Sequence, residues 1–284
     1  MGNLELKIPY TLWPFKPNWL KKKSEGIKTK KIHYPERWDE LTPKQFLRIH
    51  QILYMIKGEH IQRAMITMYL SKTSLLLWLR MHLIQRVQLQ WLFDWIASEK
   101  SVITRNFFPK IRVKGKTLLG PSDAMGNVNA AEFSEADYHF LNYYKSKKEE
   151  DLDLLIACLY RKKDPNKSID APDYDGDLRE AFNTHSVEKR AKTIAKLNKW
   201  KKMAIYTFYR GCRKEIEDTY DRVFTKKTAQ SVENYGWPET FMRMTGDRFG
   251  KIKEVMENDM HEIFLSMQID LKDQEDWERK NKKK

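Results

Sequence analysis

The chain has only two cysteines, Cys158 and Cys212, in 284 residues. That excludes a disulfide framework and any four-thiolate zinc site. Cys158 lies in the apolar run Leu154–Tyr160 and Cys212 in a basic, aromatic stretch; both are expected to be small buried residues rather than reactive thiols. A long hydrophobic run is also missing. The most apolar stretch, Leu75–Leu83, is interrupted by Arg80, well short of the roughly 18 unbroken apolar residues of a spanning helix. The first ten residues lack the basic, apolar and small-residue succession of a secretory leader. Acidic residues are in deficit, 39 against 53 Lys and Arg, which leaves a net charge of +14. An acidic solvating chain is thereby excluded, and anionic partners come into view. These absences lead us to expect a protein of a reducing cytoplasm with no membrane segment.

Catalytic and metal signatures are equally scarce. No Gly-x-Ser-x-Gly elbow occurs, and none of the seven histidines pairs at i, i+4 around a glutamate as in a zinc-protease helix. Gly115-Lys116-Thr117 resembles the end of a phosphate-binding loop, but Lys110 stands where its first glycine belongs, and Gly120-Pro121 prevents the helix that should follow. Asp173-Tyr174-Asp175-Gly176-Asp177 resembles part of a calcium loop, yet with Gly176 as the turn glycine the two anchor positions fall on Ala171 and Phe182. We therefore expect no enzyme, no cofactor and no metal, with a flexible acidic loop at 170–177.

The residues present describe an all-α protein of two packed helical modules with one small β-hairpin and an extended N-terminal arm. The arm covers residues 1–36: Leu4–Ile8 alternates like a short strand, and Pro9, Pro14 and Pro17 with Trp13, Phe15 and Trp19 give an aromatic, proline-broken segment. A helical module follows at 37–100. Thr42-Pro43-Lys44-Gln45 is a capping box with proline at the first helical position, and Phe46, Ile49, Leu53 and Ile56 recur at helical spacing. Leu75–Ile84 and Gln88–Ile96 are so rich in Leu and Trp that the pattern places them largely inside. Residues 101–125 read as a hairpin turning at Lys114-Gly115. The second module, 126–284, is expected to start a helix at Ser134 and another near Asp151. A polar loop should cover 161–183, a long helix should run from about Ser186 to Phe224 with a break near Gly211, and a final amphipathic helix should span Ile252 to Met267.

The charge excess is localised. Residues 1–32 carry eight lysines, Lys21, Lys22 and Lys23 among them, against Glu5 and Glu25; residues 186–213 carry six lysines and three arginines against Glu188. The two segments, +6 and +8, account for the whole +14. A continuous helix would align Lys189, Lys192, Lys196 and Lys199 on one face, with Ile194, Leu197, Ala204, Ile205 and Phe208 buried. Such a strip suits phosphate backbones or an acidic protein surface, with Trp200, Tyr206 and Tyr209 as stacking platforms. Lysine's point charge disfavours base readout, so contact with DNA or RNA would be independent of sequence. The same pattern also fits a solvated helix face. In the last helix Met256 and Met260 offer adaptable apolar contacts, or ordinary core filling.

Several short patterns occur together: Trp38-Asp39-Glu40-Leu41-Thr42-Pro43-Lys44-Gln45-Phe46-Leu47, Val113-Lys114-Gly115-Lys116 before Leu118-Leu119-Gly120-Pro121, Glu132-Phe133 before Asp137-Tyr138, Leu154–Arg161, and Gly236-Trp237 near the last helix. Their order resembles helical proteins of phage and prophage morphogenesis regions, of the tail assembly chaperone type. The resemblance implies a non-enzymatic role in the host cell cytoplasm: holding an apolar phage tail component soluble until assembly. Trp91, Trp95, Met256, Met260 and Phe264 would supply the apolar contacts. The alternative is sequence-independent nucleic-acid binding through 1–32 and 186–213, and the basic arm and net charge also fit a component incorporated in a virion near packaged DNA.

Overall fold

The computed structural model describes residues 2–11, 25–98, 102–172, 174–224, 236–246 and 248–281. Among them are eleven α-helices and two two-stranded antiparallel sheets, so the chain is mainly helical. The chain divides into two compact units, Met1–Val102 and Ile103–Lys284.

In the first unit, β1 (Gly2–Thr11) pairs antiparallel with β2 (Glu25–Tyr34) along ten residues. The described parts of the expected extended arm, 2–11 and 25–34, thus form a two-stranded sheet, while Trp13, Pro14, Phe15, Pro17 and Trp19 lie outside the described residues. Helix α1 (Pro43–Met55) begins at the capping box, with the Gln45 backbone N–H donating to Thr42 Oγ1 at 3.3 Å and the Thr42 N–H to Gln45 Oε1 at 2.8 Å. Gly58, at φ 99°, turns the chain into α2 (Glu59–Leu70), a conformation that favours glycine. Two short helices follow, α3 (Leu75–Arg80), capped by Ser74, and α4 (Leu83–Trp91). Arg86 joins them by donating to the Leu79 and Met81 carbonyls at 2.8 and 3.0 Å, which answers the open end of α3. Trp38 packs edge-on against Phe46 and Trp95, and Ile32, Trp78, Met81 and Leu89 form a second small cluster.

The second unit opens with β3 (Lys110–Val113) and β4 (Lys116–Leu119). Both turn residues, Lys114 and Gly115, have positive φ, as a primed hairpin turn requires. Ile111, Val113 and Leu118 of this hairpin enter the main core of the second unit. Helix α5 (Ala130–Ser146) begins four residues before the expected Ser134. Asn129 caps it by accepting from the Glu132 N–H at 2.8 Å, and Ser134 is a buried interior residue. Helix α6 (Glu149–Leu159) is buried along Leu155–Leu159.

The long basic helix expected from about Ser186 is two helices, α7 (Val187–Ile194) and α8 (Lys199–Thr219). The break lies at 195–198, where the Lys196 and Leu197 N–H groups turn back to the Thr193 and Ile194 carbonyls and Asn198 caps the next helix. Gly211 does not break α8: a Cβ there would lie 2.1 Å from the Ile103 carbonyl oxygen, so this glycine permits close backbone approach instead. The final helix is likewise divided. After α9 (Trp237–Met242) come α10 (Ile252–Glu257) and α11 (Met260–Asn281). At the division the Asn258 carbonyl accepts from the Ala130 N–H and the Met260 N–H donates to the Val128 carbonyl, so the interruption fastens α11 to the start of α5.

Candidate functional site

Three sets of side chains bear on function: the basic segment around α7 and α8, a buried ionic network, and an apolar face on α3 and α4. The break at 195–198 removes the continuous lysine strip. Lys189 and Lys192 sit on α7, Lys196 lies in the turn, and Lys199 starts α8; all four are exposed, on two helices and a bend rather than on one helix face. Three other cations of the segment point inward. Lys202 pairs with Asp153, Arg213 with Asp137, and Arg190 Nη1 approaches Glu180 at 3.3 Å. The +8 counted along the sequence therefore overstates the charge offered to a partner. Tyr206 and Tyr209 are buried, which removes them as stacking platforms, while Trp200 is half-buried. Lys21, Lys22 and Lys23 lie outside the described residues.

In the acidic loop, where Asp173 lies outside the described residues, Asp175 and Asp177 likewise serve the fold. Asp175 binds Lys167 at 2.6 Å, and that contact pulls its carboxyl below the ordinary range. Asp177 binds Arg161 Nη2 at 3.1 Å and Arg179 Nε at 2.8 Å. Those two arginines also clamp Glu132: Arg179 Nη1 lies 2.7 Å from one carboxylate oxygen and Arg161 Nη1 3.0 Å from the other. Arg179 donates further to the Leu159 and Asn127 carbonyls at 2.9 and 2.7 Å. Two positive and two negative groups thus close a neutral cluster that ties α5, the end of α6 and the loop 161–183 together. Burial pushes the Glu132 carboxyl up, and Arg179 and Arg161 pull against it. Charged residues spread between Glu132 and Arg179, 47 positions apart, leave no linear signature, so sequence reasoning missed this network.

The apolar contacts expected from the last helix are largely internal. Met260 and Phe264 are fully buried, Phe264 amid rings of Phe133, Trp237, Tyr220 and Phe224; Met256 is half-buried against the same core. Core packing, not a free groove, occupies this side of α11. Trp95 is half-buried beside Trp38, 5.2 Å between ring centroids. Only Trp91 of the five is exposed, at 62%.

Trp91 has company that the sequence pattern placed inside. Leu75, Leu76 and Leu79 on α3 are 59–68% exposed, and Leu83 and Ile84 on α4 are 72–73% exposed. The opposite face of each helix is the one that packs, through Trp78 and Leu89. Apolar residues all round α3 usually signal a helix buried on every side; here one side is covered and the other faces solvent. Isolated exposed leucines are ordinary, but six large apolar side chains within the stretch Leu75–Trp91 form an exposed concentration of the kind that marks interaction surfaces.

Among the described residues, no helix is long and apolar enough to cross a membrane, and no group of three or more His, Cys, Asp and Glu is placed to hold a metal ion. No family model, curated protein or solved structure matches the chain.

Proposed function

We propose that this chain is a non-enzymatic, phage-type assembly protein that holds an apolar segment of a tail component against the α3–α4 face. The observation that carries this reading is the outward display of Leu75, Leu76, Leu79, Leu83, Ile84 and Trp91 on two short helices whose other sides are packed. Covering one such side chain is worth roughly 1.5–3 kcal/mol, so an apolar partner segment gains substantially by docking there. Arg86 fixes the two helices to each other, which presents the leucines as a pre-organised surface. The resemblance to tail assembly chaperones supplies the class of partner. The basic segment supports this reading less, because Arg190, Lys202 and Arg213 are engaged internally.

Co-expression with the tail component tests the proposal. A stoichiometric complex should persist in about 0.5 M salt, where exposed charges are screened beyond a few ångströms, and it should be lost in the Leu83→Glu/Ile84→Glu variant. Three results overturn it: no complex, a complex indifferent to those substitutions, or self-association of the chain through this face in sedimentation experiments. Binding to generic DNA that collapses steeply as salt rises would instead support the nucleic-acid alternative.

A further inference from the structure

A second feature lies in the other unit. Residues far apart in sequence surround a cavity of about 210 Å³ between the β3–β4 hairpin, the bridged backbone at 161–163 and helix α7. Lys116 comes from the first position of β4, Lys162 from the strand-like segment whose neighbour Arg161 pairs with Leu119, and Lys189, Arg190 and Thr193 from one side of α7. The backbone of Glu180 bonds to Lys162, which brings the Glu180 carboxylate to the same wall. Tertiary structure, not a run of charge in the sequence, gathers these groups.

The electrostatics are one-sided. Arg190 is nine-tenths buried and lines the cavity. Its Nε donates to the Ala157 carbonyl at 2.9 Å, and its Nη1 donates to Ser186 Oγ at 2.6 Å and approaches Glu180 Oε1 at 3.3 Å. Its Nη2 is buried with no hydrogen-bond partner among the described residues. Glu180 thus answers Arg190, the single carboxylate of the wall against four cations. Lys116, Lys162 and Lys189 have no ion pair among the described residues. Lys116, Lys162, Lys189 and Arg190 against Glu180 leave the lining with an excess of positive charge, which favours an anion.

Size and geometry narrow the ligand. Sites for drug-sized molecules run to about 300–1,000 Å³; at about 210 Å³ this one suits a smaller ligand. Planar carboxylates are best met by the arginine fork, whereas lysines act as point charges that suit the tetrahedral oxygens of phosphate. Thr193 lies on the same wall. We propose that this cavity binds a small phosphate dianion, either inorganic phosphate or the phosphoryl group of a small monoester. The site is independent of the α3–α4 face and of the assembly role.

Calorimetric titration of the full chain with sodium phosphate, and separately with glycerol phosphate, against sodium chloride at matched ionic strength, tests this. One saturable site per chain is expected, and tighter binding of one phosphate source over the other identifies the natural class. Lys162→Ala/Lys189→Ala should weaken binding about tenfold or more, while the control Lys192→Ala/Lys196→Ala, which alters exposed lysines outside the cavity, should leave it unchanged. Both pairs are exposed, so thermal melts of the variants should match the parent. Absence of saturable binding, equal weakening in the control, or displacement of phosphate by a thymidine oligonucleotide that binds more tightly would each overturn the small-anion site.

Discussion

Leu155, Ile156, Cys158 and Leu159 on α6 lie wholly inside the second unit, whereas Leu75, Leu76, Leu79 and Leu83 in the first unit, no less apolar as a run, face solvent for more than half their surface. The difference lies in what surrounds each helix. Around α6 stand α5, α7 and α8, with the hairpin's inward side chains and the Glu132 cluster, and together they enclose it on every side. Around α3 and α4 the described residues of the first unit offer a smaller set of partners: Trp78, Met81 and Leu89 use one face, and the other is exposed among the described residues. Apolar runs of equal strength thus end as core in one unit and as surface in the other, because burial needs enough neighbouring mass as well as a hydrophobic sequence. The described residues of the second unit enclose their apolar helix, whereas those of the first leave one side of α3 and α4 exposed.

Breaking the scaffold should have the largest effect. Glu132→Ala leaves Arg161 and Arg179 buried without their shared carboxylate, and should lower the stability of the second unit by about 3–5 kcal/mol in urea unfolding; a loss under about 1 kcal/mol would show that the cluster tolerates an uncompensated charge. An intermediate effect is expected from alkali. Burial raises the Cys158, Cys212, Tyr160 and Tyr209 groups above their ordinary values, so each ionises more readily in the unfolded chain than in the folded one. Their contribution is complete below the ordinary thiol range and declines as pH climbs through about 9 to 11, by at most about 1.4 kcal/mol per pH unit for each group. Unfolding followed against pH should show that decline, and both thiols should resist a thiol reagent at pH about 8 until the chain unfolds; rapid labelling of the native protein would contradict it. The smallest effect belongs to the exposed face. Leu83→Gln and Ile84→Gln should each change stability by no more than about 0.5 kcal/mol, although core leucines lost in the same way would cost several. A large loss would mean that this face is covered, and the contrast between the units would fail.

Local chemistry was legible where one residue type has one use. Thr42 with Pro43 and Gln45 predicts the start of α1, and Lys114-Gly115 between apolar runs predicts the second hairpin; both are in place. Boundaries decided at a distance were not legible. Gly211 looks like a helix breaker until the Ile103 backbone is seen against it. The division at Asn258-Asp259 follows from hydrogen bonds to Val128 and Ala130, more than a hundred positions away. The aligned lysines failed for a similar reason: their spacing presumed a continuous helix, and the turn at 195–198 dissolved it. Of the apolar contact residues, Trp91 is exposed while Met260 and Phe264 fill the core, because periodicity reports that a stripe is apolar and not what lies against it.

The sequence by itself determined the helical class, the scarcity of cysteine, the caps and turns, and the total charge of +14. Those are sums of local preferences, and each residue states its own. Only the tertiary structure decided which leucines meet solvent, which cations are answered by Glu132, Asp137 or Asp153, and that Lys116, Lys162 and Lys189 surround one cavity. Burial and charge pairing depend on neighbours brought together across the fold, and no local pattern encodes them.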